Sequence, residues 1–302
     1  MIIDIPTPND FKHAGISYLN IAWGIVLDLA TDLEIANVDE WDSTGEVSIE
    51  YWGAAQKPLA TATSLLQQGI EFLIKSRVAA ISPFLLIDGS PRDWPKKCNK
   101  RDTPFSEFKS IDAQELIRAH DTISKYPFTD QFINLYENIR VRRNTIMHTV
   151  DPKLRFTSLD IILNILESSE ILLGPQQWIK IREDYLEQDP ISVVHSTDSV
   201  GIRLIDECLY LIENLKASEL KKYFDFNTRQ RRYFCYTCQK EDQTGTLAVT
   251  TAQLKPNTPN SKYVFCFVCR RTSEVIRTSC SDKSCRGNVI DAIDGTCLTC
   301  FR

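Results

Sequence analysis

Phe132-Ile-Asn-Leu-Tyr-Glu-Asn-Ile-Arg-Val-Arg-Arg-Asn-Thr-Ile-Met-His148 is the stretch on which the fold turns. Phe132, Leu135, Ile139 and Ile146 recur at helical spacing, so a helix is expected from Phe128 to about Thr149 with these residues on its buried side. Helical steps also place Asn144 and His148 on one polar face, one turn apart, with Arg140 a turn earlier. Arg143 is offset from His148, but its long side chain can swing towards the same space. The pair has a chemistry of its own. Imidazole exchanges protons near neutral pH, and guanidinium holds a phosphate whose charge grows in a transition state. The bland reading is a polar helix face whose last histidine is favoured by the helix dipole, and a bare Arg-x4-His does not exclude it.

The rest of the first 225 residues reads the same way. Helices are expected over Phe11–Leu33, Leu59–Ile81 behind Pro58, Ile111–Ser124, Thr157–Leu173, Pro175–Glu187 and Val200–Tyr223. In the second of these, Leu66, Ile70, Leu73 and Ile74 form the apolar stripe, while Gln67, Glu71 and Lys75 share another face. The last is the most periodic run, with Leu204, Cys208, Leu211 and Leu215 at heptad-like steps. An acidic, turn-rich stretch precedes Gly53. The proline-rich segment from Ser82 to Ser110 is expected to be irregular. No period-two alternation appears, so this region is expected to be all-α. His13, His120 and His195 are taken as satisfied or surface groups.

From Arg229 onwards Thr, Val, Tyr and Phe become common and cysteines arrive in pairs, which predicts a separate, small β-rich module beginning near Asn227. Of ten cysteines, Cys98 and Cys208 stand alone. The others read Cys235-x2-Cys238, Cys266-x2-Cys269, Cys280-x4-Cys285 and Cys297-x2-Cys300. Two thiolates on one tight turn can both face a tetrahedral Zn²⁺, and two turns complete a closed four-sulfur site. Two structural zinc ions are therefore expected. Pairing in sequence order is favoured by the ribbon-like run from Cys280 to Cys300, with nested or cross-brace pairing left open. With only cysteine ligands and no histidine in the tail, neither site offers an open catalytic position. Arg229, Arg231, Arg232, Tyr233 and Tyr236 beside the first pair, and Arg270 and Arg271 beside the second, form a basic and aromatic set of the kind that stacks on single strands or binds proteins.

Charge is uneven. Residues 1–225 carry a net −11, whereas residues 226–302 carry +6. Eight thiolates holding two Zn²⁺ bring the tail down to about +2. Global charge thus gives no argument for a nucleic-acid partner. The local cluster of Arg140, Arg142, Lys153 and Arg155 around the Arg/His pair does, and it is the candidate RNA-binding set. The N-terminus has an acid and prolines where a signal peptide has a basic residue and an apolar run. The apolar stretch Ile21–Ala30 is short and interrupted by Asp28, so a cytoplasmic protein without a membrane span is expected.

Arg143-Asn144-Thr-Ile-Met-His148, together with the earlier helix Leu65-Leu-Gln-Gln-Gly-Ile-Glu71-Phe-Leu-Ile-Lys75, resembles the HEPN superfamily over roughly residues 55–173. Those domains are helical bundles with an Arg-x4–6-His motif late in the bundle and an acid on an earlier helix. Three parts are expected: an N-terminal helical extension (1–54), a HEPN-like helical domain (55–226) and a double zinc-ribbon domain (227–302), the resemblance itself saying nothing about residues 1–50 or the cysteine tail. The resemblance implies a metal-independent endoribonuclease, a defence or toxin effector, working as a homodimer around a shared cleft and controlled by a regulatory protein partner. Arg143, Asn144, His148 and Glu71 would be its catalytic residues. Val150 stands where some paired toxins carry a modified tyrosine, which argues against that form of control. The rival expectation is a non-catalytic HEPN adaptor whose zinc ribbons bind protein or nucleic acid. A transcriptional regulator is disfavoured, since no helix-turn-helix pattern with a basic reading helix stands out.

Overall fold

The computed structural model describes residues 1–36, 42–149, 151, 153–190, 198–242 and 247–302. The chain forms two compact units, Met1–Leu173 and Gly174–Arg302. Helices make up most of the first, while the second combines helices with an antiparallel sheet in its C-terminal part.

The first unit contains α1 (Pro8–Ile35), α2 (Glu46–Ala54), α3 (Gln56–Ala79), α4 (Ala113–Ile123), α5 (Asp130–His148) and α6 (Ser158–Leu172). At its centre lies α3, which packs on α1, α4, α5 and α6 and buries Leu59, Leu66, Ile70, Leu73, Ile74 and Val78. Helix starts follow local chemistry. Thr7 and Asp10 form a reciprocal capping box ahead of Pro8, and the Thr129 and Thr157 hydroxyls accept from backbone N–H groups in the first turns of α5 and α6.

Two glycines set how closely α1 approaches α3. A Cβ on Gly15 would stand 2.8 Å from Leu73 Cγ and 2.9 Å from the Gly69 carbonyl; one on Gly69 would stand 2.7 Å from Leu19 and 3.0 Å from the Gly15 carbonyl. Around that contact Leu19, Ala22, Trp23, Val26 and Leu27 are buried. By length and composition Pro8–Glu34 is apolar enough to cross a membrane; here 44% of that window is buried inside the protein. Residues 1–54 are therefore no appendage, because α1 supplies a large share of this unit's core.

Helices α3 and α5 run antiparallel. Gln56, at the start of α3, pairs its side-chain amide with both backbone groups of Phe156, beyond the end of α5. Arg77, near the other end of α3, lies over Phe128, ahead of α5. Between these points Tyr136 of α5 faces Gln67 and Glu71.

Two local features depart from the expected pattern. The acidic stretch before Gly53 contains α2, whose start is gathered by the Asp42 carboxylate accepting from the N–H groups of Gly45 (3.1 Å) and Val47 (2.8 Å). The irregular segment carries 3₁₀ turns at Pro83–Leu86 and Phe105–Glu107. It also places β2 (Thr103–Pro104) in parallel register with β1 (Ile2–Ile3), so the region is not wholly helical.

The second unit contains α7 (Trp178–Glu187), α8 (Asp198–Asn214), α9 (Ala217–Phe224), α10 (Tyr236–Glu241) and a sheet ordered β3 (Ala252–Leu254), β4 (Tyr263–Cys266), β5 (Thr272–Ile276), β6 (Ile290–Asp291), antiparallel throughout. The helix expected over Val200–Tyr223 is two helices. Lys216 is extended, and its N–H donates to the Glu219 carboxylate at 2.8 Å, which starts a new helix there. The change in composition near Asn227 does not separate compact units, because Phe224 and Phe226 pack on Phe267 next to the sheet with ring centroids 5.5 and 5.1 Å apart. A buried fork, Arg182 on Glu207 at 2.7–3.2 Å, ties α7 to α8.

Replacing Gly69 by Val forces a side chain into the Gly15 carbonyl and should lower stability by about 1–3 kcal/mol. Gly53→Ala, with nothing within 4 Å of the new Cβ, should cause no loss. Urea unfolding followed by circular dichroism compares the two; equal stabilities would mean that the α1–α3 contact is soft.

Candidate functional site

In the C-terminal unit the eight clustered cysteines gather into two tetrads in sequence order: Cys235, Cys238, Cys266 and Cys269, then Cys280, Cys285, Cys297 and Cys300. Within each, all sulfurs lie within 4.8 Å of one another. Their edges include 3.6 Å (Cys235–Cys269), 3.8 Å (Cys238–Cys266), 3.8 Å (Cys280–Cys300) and 3.9 Å (Cys285–Cys297). A tetrahedron of sulfurs about 2.3 Å from a central ion has edges of about 3.8 Å, so each tetrad fits one metal ion.

Local backbone chemistry makes these turns. Arg270 and Phe301 each follow the second cysteine of a Cys-x2-Cys pair, and each has a positive φ, 55° and 56°. The left-handed residue bends the chain back over the sulfurs. The N–H groups of Asp282 and Gly287 donate to Cys280 and Cys285 at 3.4 and 3.3 Å, and Thr251 Oγ1 lies 3.1 Å from Cys266 Sγ. Such contacts disperse thiolate charge. Gly287 is needed for space, since a Cβ there would stand 2.7 Å from Cys297 Sγ. The first pair differs: Cys235 precedes α10 and Cys238 sits in its first turn. Cys208 is buried near Cys266 and Cys269 but outside the tetrad, and burial pushes its thiol well up. Cys98 is half-buried. Of the basic and aromatic set expected beside the cysteines, Tyr233 is only 4% exposed and offers no face to a ligand, whereas Arg229, Arg231, Arg232, Arg270 and Arg271 are exposed.

In the first unit, Arg143, Asn144 and His148 occupy the last turns of α5. Arg143 Nη1 donates to Asn144 Oδ1 at 3.0 Å, so its guanidinium has swung to the Asn144 side of the helix, one turn before His148. His148 is the final helical residue, exposed, with no hydrogen-bond partner among the described residues. Arg140 is committed to Glu137 through two bonds of 3.0 and 2.7 Å. The Arg142 guanidinium lies 4.7 Å over the Phe156 ring and donates to the Arg155 carbonyl. Lys153 and Arg155 are exposed just beyond the helix.

Glu71 is elsewhere. Its carboxylate accepts from Lys75 Nζ at 2.7 Å, and Lys75 also reaches Ser110 at 3.3 Å. This cluster is level with Tyr136, whose hydroxyl donates to the Ala113 carbonyl and whose phenol is pushed up by burial and by the nearby Glu71. Tyr136 precedes Arg143 by seven helical residues, about 10 Å along the axis. Arg143, Asn144 and His148 are thus brought together, and Glu71 is not brought to them. His120 is buried against Phe128 with Nδ1 2.8 Å from Asp121, a satisfied core group; His13 is exposed. Val150 and His195 lie outside the described residues.

No family model, no curated protein and no solved structure matches the chain.

The tetrads make a countable prediction. Elemental analysis of the purified protein should find two metal ions per chain, and Cys238→Ser or Cys285→Ser should each retain one. A single variant that lost both ions would show that the tetrads fill only together.

Proposed function

We propose that the chain is an endoribonuclease whose chemistry needs no metal, with His148 as the proton-transferring group and Arg143 as the phosphate-stabilising group. The observation that carries this is the Arg143–Asn144 hydrogen bond, because it draws the guanidinium towards the face from which His148 projects. The helical-bundle setting of the motif agrees with its likeness to HEPN domains.

His148 takes the proton from a ribose 2′-hydroxyl as that oxygen attacks the adjacent phosphorus, or supplies one to the departing 5′-oxygen. Arg143 neutralises the charge that builds on the non-bridging oxygens. Asn144 holds Arg143 and orients the phosphate. Arg142, Lys153 and Arg155 lie along the path of the RNA backbone, and two copies of the chain close the site between them. Glu71 belongs to the support of α3 rather than to the chemistry. The tetrads hold zinc, four thiolates to each ion, and the metal's role is structural. Their short sulfur edges suit a single ion, whereas a multi-iron cluster would spread its cysteines further apart.

RNA incubated with the purified chain, magnesium omitted, should be cut to products ending in 2′,3′-cyclic phosphate, and DNA of the same sequence should survive. His148→Ala and Arg143→Ala should each lose about 10²–10⁴-fold, while Glu71→Gln keeps most activity. Cleavage undiminished in His148→Ala would overturn the mechanism. A folded, dimeric wild type that cuts no RNA would turn the reading to the adaptor.

A further inference from the structure

We propose that Phe234, Tyr236 and Phe301 form a stacking platform for single-stranded nucleic acid on the metal-binding part of the chain, separate from the Arg143–His148 site and independent of its activity.

The three rings come together from both tetrads. Phe234 and Tyr236 flank the ligand Cys235, and Phe301 follows the ligand Cys300. The Phe234 N–H donates to the Leu298 carbonyl at 2.9 Å, which joins the first cysteine turn to the last. Phe301 then sits 5.4 Å from Phe234 and 6.3 Å from Tyr236, tilted by 45° and 43°. The tilt keeps the rings from covering one another. All three are half-buried, whereas Val249, Val264, Val268, Val289 and Leu298 are buried in the same unit. Three adjacent aromatic rings that each keep part of their surface in water form a patch on which a base can stack.

Charge selects the occupant. The Lys240 side chain, 59% exposed, donates from Nζ to the Tyr236 hydroxyl, which places its charge at the edge of that ring, 4.3 Å from the centroid. Arg231 reaches Thr299 Oγ1 at 3.3 Å, two residues before Phe301, and Arg302 follows Phe301. Two of these cations have acids nearby, Arg302 paired with Asp282 at 2.8 Å and Lys240 looser beside Asp294 at 3.8 Å, and Arg231 adds a further positive charge. Glu241 is turned towards Gly201 of α8. Cations interleaved with open rings match a chain that alternates phosphates and bases. A protein partner would require apolar area without that periodic charge. The left-handed Phe301 gives the site its rigidity, because the same backbone turn that binds the metal also aims the ring.

Binding is measured by fluorescence anisotropy with a short labelled oligothymidylate, a DNA strand that a 2′-hydroxyl-dependent nuclease cannot cut. Failure here therefore leaves the cleavage reading intact, and loss of cleavage in His148→Ala leaves this one intact. The full-length wild type should bind the single strand more tightly than a duplex. Tyr236→Ala and Phe301→Ala, shown by elemental analysis to keep their metal, should each weaken binding about tenfold or more, with Tyr236→Phe close to wild type. Lys240→Ala, an exposed change that replaces no metal ligand and is checked for metal content in the same way, should lower affinity and flatten the log–log salt dependence by about 0.7. A wild type that binds no oligonucleotide, or prefers the duplex, overturns the proposal and leaves the surface to a protein. Ring variants that keep their metal and bind unchanged overturn it as well. Should both ring variants lose metal, Lys240→Ala decides alone: unchanged affinity and salt slope overturn it.

Discussion

A helix buried along most of its length must find partners for its polar side chains inside the protein, and α3 is such a helix; Gln67, buried beside Tyr136, is the exception, its amide meeting no hydrogen-bond geometry among the described residues. Thr63 returns its hydroxyl to the Leu59 carbonyl, Ser76 donates to the Pro8 carbonyl, and Arg77 reaches the last carbonyls of α6 while lying over Phe128. Glu71 and Lys75, 16% and 9% exposed, neutralise each other one turn apart. An ion left alone in such surroundings costs several kcal/mol, so the pair is best understood as the condition for burying that face of α3. This has a functional consequence. A carboxylate required to neutralise a buried lysine is not free to position an arginine two turns away on another helix.

The C-terminal part obeys a different constraint. Its strands span only two to five residues, too short for the sheet to bury a core that holds by itself. Sulfur tetrads take over that task. Each joins turns distant in sequence, Cys235 to Cys269 and Cys280 to Cys300. An ion held by each tetrad would fix the backbone at these turns without requiring the adjacent side chains to be buried. Phe234, Tyr236 and Phe301 can therefore stay half in water at the points where the chain is most rigid. In a module held by packing alone they would have been drawn inward, as Tyr233 and Phe267 are.

Legibility in the sequence followed the range of the interaction concerned. Helical periodicity is local, and α1, α3, α4, α5, α6 and α7 lie close to where apolar spacing puts them. Cysteine grouping was also readable, because paired turns supply two ligands apiece. What escaped depends on single polar contacts or on tertiary neighbours. Asp42 starts α2 by collecting three N–H groups, and Glu219 restarts the chain at Lys216 inside one unbroken apolar period. The compact units meet at Leu173–Gly174 because aromatic contacts attach the last helices to the sheet, a fact that composition does not carry. The role of Glu71 stays open in the sequence for the same reason, a structural ion pair explaining it as well as a place beside Arg143. Its face of α3 is legible, but whether Lys75 or Arg143 would claim it depends on how far α5 slides along α3. Phe301 had no signal beyond its place after Cys300.

The arginines near His148 are unequal, and their existing partners decide which can serve a phosphate. Arg140 gives two short bonds to a carboxylate, so releasing it means separating an ion pair. Arg142 is held over a ring and on a carbonyl. Among the described residues Arg143 holds only a neutral amide oxygen, which a phosphate oxygen can replace with a net gain in charge complementarity. Asn144 then keeps its own place beside the new ligand. Yet His148 stands exposed, and in water a guanidinium stabilises developing charge weakly compared with a dry cleft. For the proposed ribonuclease a single chain would therefore present half of an efficient site. The other half would be a surface that excludes water from Arg143 and His148 together, and two copies facing each other across α5 would supply it while doubling the cations along one RNA strand.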